Sequence, residues 1–146
     1  MRKVKIYTDG SSLGNPGVGG WCTLLIYNNH QKLLKGGKKY TTNNEMELKA
    51  VLEGLKALKE PVEVYIYTDS KYVANGMNEW IYNWAKNNWK NSKKKDIEHK
   101  QIWQQIYNLM KKHKVKVIWI KGHSGHKENE LCDKIAKEEA KKFLSK

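Results

Sequence analysis

Cysteine, proline, arginine and long apolar runs are all scarce in this chain, and each scarcity removes a class of protein. Two cysteines, Cys22 and Cys132, stand far apart and form no CxxC pair. Both residues are expected as reduced core thiols, with a disulfide between them the less favoured alternative. Two prolines exclude an extended proline-rich segment. No apolar run approaches the roughly 18 residues of a membrane span. The opening MRKVKIYTDG has no apolar signal core, so a cytoplasmic location and no membrane partner are expected. Arg2 is the lone arginine, so the cationic character rests on lysine.

That character is pronounced. Lys plus Arg number 28 against 15 acids, a formal net charge of +13. Such an excess suits a polyanionic partner, because lysines displace counterions condensed on phosphates. Lysine meets phosphate as a point charge and cannot fork onto a guanine edge, so contact with the backbone is expected, with little reading of base sequence. With 146 residues, 39% of them hydrophobic, the chain suits one domain with a real core, spanning 1–146. No long apolar surface suggests a dimer, and a monomer is expected.

Val4 to Asp9 reads as a strand, followed by a glycine-dense turn, GSSLGNPGVGG. WCTLLIYNN and KLLKGGKKY read as strands two and three, their short connections favouring antiparallel pairing. The period then changes: Leu48, Val51, Leu52, Leu55 and Leu58 fall at helical spacing, and Pro61 ends the run. VEVYIYTDS is a fourth strand, and the strand–helix–strand order predicts that it lies parallel to the first. Residues 70 to about 91 read as helix in pieces. HKQIWQQIYNLMKKHK reads as a helix with Ile102, Ile106 and Leu109 or Met110 inward, VKVIWIKG as a fifth strand, and ELCDKIAKEEAKKFL as a closing helix. The predicted fold is α/β, a five-stranded mixed sheet flanked by helices on both faces, with ligands expected beyond the carboxyl ends of its parallel strands.

The chain twice ends a strand in the same way: VKIYTDGSS from Val4 and VYIYTDSKY from Val64. Asp9 and Asp69 have the same parity, so on adjacent parallel strands their carboxylates leave the sheet on one side. Each aspartate alone reads most simply as a turn or cap residue. Together they repel unless one holds a proton or a cation sits between them, and one member of the cluster is expected to titrate abnormally high. Glu47 follows two possible capping boxes, Thr42 with Glu45 and Asn44 with Glu47. If Glu45 caps the helix, Glu47 is released toward the sheet edge. Asp133 lies in the first turns of the last helix, where the helix dipole suits any carboxylate, but it follows a buried-type Cys132.

In GHSGHKENELCD, His123, His126 and Cys132 invite a zinc reading, but no fourth ligand is evident. His126 reads better as a loop or cap residue, and His123 as a proton carrier near neutral pH. GSSLGNPGVGG lacks the Walker lysine and completes no GxGxxG before a helix, which disfavours nucleotide-cofactor binding. WIYNWAKNNWKNSKKK combines Trp80, Trp84 and Trp89 with Lys86, Lys90, Lys93, Lys94 and Lys95. At least one tryptophan is expected to pack this excursion onto a small core of its own, while the lysines read as a cationic arm for a phosphate backbone.

YTDGSSLGNPGVGGW, TTNNEMEL, YTDSKYV and KGHSGHKENELCD, in this order, resemble the ribonuclease H type 1 family from about Lys3 to Phe143. The excursion at about 80–96 is similar to the basic protrusion of bacterial members. The resemblance implies cleavage of the RNA strand of an RNA–DNA hybrid, leaving 5′-phosphate and 3′-hydroxyl ends. It implies metal binding by Asp9, Glu47, Asp69 and Asp133, with His123 as the mobile loop histidine. It further implies that Asn15, Thr42 and Asn43 hold the DNA-strand backbone, and that Gly10, Asn44 and Glu47 meet the RNA 2′-hydroxyls. Trp80, Trp84, Lys86 and Lys90 are the arm's expected substrate contacts. Lys71 stands where bacterial relatives often carry glutamine, which alters one minor-groove contact. No separate N-terminal hybrid-binding domain is seen, so processivity is expected to rest on the arm.

Two Mg²⁺ ions, or Mn²⁺, about 4 Å apart suit a site of this kind. Asp9 is expected to bridge them, with Asp69 and Glu47 on the leaving-group side and Asp133 on the water side. Two competing readings stand beside this one: another nuclease class on the same fold, such as a Holliday-junction resolvase or transposase core, and a non-catalytic nucleic-acid-binding module.

Overall fold

The computed structural model describes residues 1–122 and 125–144. Apolar residues alternating along Val4, Ile6 and Val64, Ile66 build the centre of a five-stranded sheet of order β3-β2-β1-β4-β5. The strands are β1 (Lys3–Gly14), β2 (Gly17–Tyr27), β3 (His30–Thr41), β4 (Glu63–Thr68) and β5 (Lys114–Trp119). β1, β2 and β3 pair antiparallel, while β1–β4 and β4–β5 pair parallel. The connecting helices are α1 (Asn43–Lys56), α2 (Lys71–Asn75), α3 (Ile81–Lys86), α4 (Lys100–Met110) and α5 (Lys127–Lys141).

Both faces carry helices. Leu48, Val51, Leu52 and Leu55 of α1 lie at helical spacing and bury against Val4, Ile6, Val64 and Ile66, together with Trp103 and Ile106 of α4. Truncating one such side chain, as in Leu55→Ala, removes about 2–5 kcal/mol of stability. On the opposite face Cys132 and Ala136 of α5 meet Tyr7, Cys22 and Leu24. Among the described residues, no helix is long and apolar enough to cross a membrane.

Three sequence expectations need correction. The glycine-dense stretch is mostly strand: β1 runs on to Gly14 and β2 starts at Gly17, leaving a tight turn around the cis Asn15–Pro16 bond. Backbone pairing supplies the order there that side chains lack. Asp9 therefore does not end β1; it lies two residues past the last β1–β4 pair, Tyr7↔Tyr67, near where β4 stops at Thr68. The tryptophans of the excursion form no core of their own: Trp84 and Trp89 pack against the main core.

The reason lies in α4. Trp103 is its fully buried anchor, whereas Ile102, Leu109 and Met110 are partly buried around it. Its ring sits 5.2 Å from Trp84 and 5.7 Å from Tyr72, and its indole N–H donates to the Tyr72 hydroxyl at 3.1 Å. Residues Gly76–Trp80 form a wide helical turn between α2 and α3. A Cβ on Gly76 would lie 2.2 Å from the Trp103 ring, so the absence of a side chain there admits the indole.

Candidate active site

The acid cluster is assembled by backbone rules. Tyr7 and Tyr67 stack at 4.7 Å with 14° between their rings. One pleat period further along, Asp9 and Asp69 leave the sheet on that same side. α1 brings the third carboxyl. Thr42 caps α1 by accepting the Glu45 N–H at 3.2 Å, and Glu45 turns outward to accept from the Thr41 hydroxyl and from Lys38. Burial would raise Glu45, but the Thr41 and Lys38 bonds outweigh it and hold its pKa below the ordinary value. Glu47 is thus released, and it is buried, accepting the Gly10 N–H at 2.7 Å. The close contact requires glycine: a Cβ on Gly10 would lie 2.3 Å from the Glu47 nitrogen.

Asp9, Glu47 and Asp69 each offer a carboxylate oxygen within 4.8 Å of the others. Asp9 is 3% exposed; its Oδ1 accepts the Gly10 N–H at 2.9 Å, while its buried Oδ2 has no donor among the described residues. Burial first, then the charge of Asp69 and contact with Asp133, push the Asp9 carboxyl up to about 9, against one lowering bond from Gly10. Burial and the charges of Asp9 and Asp69 raise Glu47 well above the carboxylate range too. Asp133, in α5, is half-buried beside Asp9 and paired with Lys137 at 3.1 Å. Three crowded carboxyls and an orphaned buried oxygen are the donor set of a hard divalent cation, and the residues fit one.

The other candidates group around this cluster or stand apart from it. Asn15 accepts the Asn43 N–H at 3.1 Å, tying the β1–β2 turn to the α1 N-terminus that also carries Thr42 and half-buried Asn44. Lys71 is exposed, its ammonium 5.2 Å from the centre of the Trp119 ring. Trp80 lies 6.0 Å from both Tyr72 and Trp84, so these tryptophans are half-buried members of an aromatic row. Lys86 is exposed at the end of α3, and Lys90 is clipped to Asp96 at 2.8 Å. Together with Trp84, Lys90 and Lys94 line an open cavity of about 710 Å³. His123 lies outside the described residues. The zinc reading loses its sulfur, since Cys132 is buried with its thiol directed at the Tyr7 carbonyl, 3.6 Å away.

One supporting residue escaped the reading of the sequence. Trp119 donates its indole N–H to the Asp69 carbonyl at 3.1 Å, fixing the backbone beneath that carboxylate. Its position after a run of β-formers was the available signal.

Fold and site define a class: an α/β protein with an acid cluster that could hold a metal ion, set where the parallel β1–β4 pairing ends. The chain belongs to the ribonuclease H family, whose model, described as RNase H, matches residues 1–141. It is accordingly a nuclease. It is 54% identical over 143 residues to a "Ribonuclease H" of Campylobacter concisus, covering 98% of this chain and 96% of that one. Its fold matches the crystal structure of LC9-RNase H1, a type 1 RNase H with the type 2 active-site motif, with a TM-score of 0.87 and 30% identity over 99% of this chain and 74% of that one. It also matches the foamy viral protease-reverse transcriptase in complex with RNA/DNA hybrid, with a TM-score of 0.77 and 25% identity over 95% of this chain and 20% of that one.

Proposed function

We propose that this chain hydrolyses the RNA strand of RNA–DNA hybrids, leaving 5′-phosphate and 3′-hydroxyl ends, with Mg²⁺ held by Asp9, Glu47, Asp69 and Asp133. The observation that carries this reading is the buried, crowded carboxyl cluster, with Asp9 Oδ2 lacking a donor among the described residues. When bound, two divalent ions supply charge relief at phosphorus and an activated water. The protein's own part is to converge four acids from β1, α1, the residue after β4, and α5, and to keep three of them close together. The Gly10–Glu47 bond holds α1 against β1, so the acid positions are set before substrate arrives. His123 serves as proton carrier, on the strength of its motif.

Substrate choice follows from the surroundings. Gly10, Asn44 and Glu47 sit at the junction of β1 and α1, where they meet the 2′-hydroxyls that distinguish RNA from DNA. Asn15, Thr42 and Asn43 form one linked patch beside them and hold the DNA backbone. Lys71 and the protrusion at about 80–96, with Trp80, Trp84, Lys86 and Lys90, extend the basic surface. The foamy viral neighbour, solved with an RNA/DNA hybrid, supports this substrate class. Residues 1–146 act as one domain and as a monomer in the cytoplasm.

The deciding experiment incubates an end-labelled hybrid with Mg²⁺, Mn²⁺ or EDTA, beside all-RNA, all-DNA and branched DNA duplexes. Cleavage of the RNA strand of the hybrid alone, lost in EDTA and bearing 5′-phosphates, is expected. Binding without cleavage in either metal would leave a non-catalytic module, and preference for branched DNA a resolvase.

A further inference from the structure

Most of the face of β4 and β5 opposite α1 is uncovered among the described residues: α5 packs over β1, β2 and β3 and meets β4 at Tyr67. Strand register lays its side chains in rows: Lys3–Glu63–Lys114, then Lys5–Tyr65–Lys116, then Tyr7–Tyr67–Ile118. Lys3, Lys5, Lys114, Lys116 and Ile118 are exposed, and Tyr65 and Tyr67 are half-exposed. Glu63, the face's acid, is bonded by the Tyr65 hydroxyl at 2.5 Å. That bond, and after it the charges of Lys3, Lys114 and Lys116, hold its pKa low, which places these lysines around it.

We propose that this open face binds single-stranded nucleic acid, with phosphates on Lys3, Lys5, Lys114 and Lys116 and unpaired bases against Tyr65 and Tyr67. Charge complementarity names a polyanion, since four exposed lysines share the face with one acid, Glu63, whose charge Lys3, Lys114 and Lys116 already offset. The tyrosines narrow it further: a flat aromatic surface rewards exposed base faces, which a duplex keeps inside its own stack. Position adds continuity. Two residues beyond Tyr7 and Tyr67, where the β1–β4 pairing has ended, stand Asp9 and Asp69, so a strand lying on this face leads toward the acid cluster. The binding itself needs no cleavage and stands or falls separately from the hydrolytic reading.

The test uses the full chain in EDTA and a fluorescent single-stranded RNA of about twelve nucleotides, a length within the usual single-strand site sizes. Tyr65→Ala and, separately, the charge reversal Lys5→Glu with Lys116→Glu are each expected to weaken binding about fivefold or more. Tyr65→Ala should leave affinity for inorganic polyphosphate unchanged, because only bases stack. Amide NMR signals of Tyr65, Tyr67 and Ile118 are expected to shift with RNA, and cleavage of a blunt hybrid in Mg²⁺ to stay at the wild-type rate. The proposal is overturned by equal RNA affinity in all variants, or by shifts confined to residues 84–95. Sedimentation showing a dimer that Ile118→Glu dissociates, with no RNA-induced shift on this face, would equally overturn it in favour of a second copy.

Discussion

Asp9 is a carboxyl group buried beside two others, and its behaviour without metal follows from that placement. Its ordinary value is 3.8 and its folded value is about 9. Between those limits the folded metal-free chain retains a proton that the unfolded chain has released. Stability in EDTA is therefore expected to be greatest at the acid end of this window and to fall as pH rises toward 9. Saturating Mg²⁺ should flatten that slope, which thermal unfolding at stepped pH would measure. NMR titration that placed Asp9 and Glu47 at ordinary carboxylate values would contradict the electrostatics of the cluster. Asp9→Asn removes the charge and keeps the shape. Cleavage should fall on the order of a thousandfold or more, with hybrid affinity retained and stability in EDTA at pH 8 unchanged or raised. A variant that loses folding along with activity would instead make Asp9 a structural residue.

Between elements, two glycines separate stability from chemistry. At Gly10 an added methyl would meet the backbone of Met46 and Glu47 at 2.3 Å; at Gly76 it would meet the Trp103 ring at 2.2 Å. Both Gly10→Ala and Gly76→Ala should destabilise by about 1–3 kcal/mol, the usual cost of overpacking. Gly10→Ala should also reduce cleavage far beyond its effect on folding, since α1 must retreat with Glu47. Gly76→Ala should keep its rate per folded molecule. Denaturant melts paired with active-site-normalised rates distinguish the two, and equal activity loss in both would break the argument. These contacts also mark what the sequence can and cannot disclose. The twin YTD motifs made the acid pair legible, because period-2 parity alone puts Asp9 and Asp69 on one side. Helical spacing made α1 legible, and two overlapping capping boxes allowed Glu47 its release. The extent of β1 and β2 was hidden, since their glycines carry no side-chain signal and are held by pairing. Trp103 was hidden for another reason: its neighbours Ile102 and Ile106 satisfy the same period, and only the gap at Gly76 and the Tyr72 hydroxyl select it.

Across the whole molecule, charge is unevenly spent on internal pairing. Of the +13 excess, much lies between Lys86 and Lys95, yet the lysines there are not equivalent. Lys90 pairs with Asp96 at 2.8 Å and closes the loop, whose backbone is further pinned by Asn91 Oδ1 accepting the N–H groups of Lys93 and Lys95. Replacing Lys90 is thus expected to disturb the arm's shape as well as its charge. Lys86, Lys93, Lys94 and Lys95 are exposed and project from a scaffold that Trp84 and Trp89 anchor to the core. Replacing these four by alanine should leave unfolding within about 0.5 kcal/mol, as at other surface positions. Hybrid affinity at low salt should fall, and the slope of log K against log salt should shallow by about 0.7–0.9 for each lysine that meets a phosphate. The loss should be the same for hybrids of any base sequence, because an ammonium reads no base edge. A loss that varied strongly with sequence, at an unchanged salt slope, would show that the arm recognises bases and would reverse the inference drawn from a chain with one arginine.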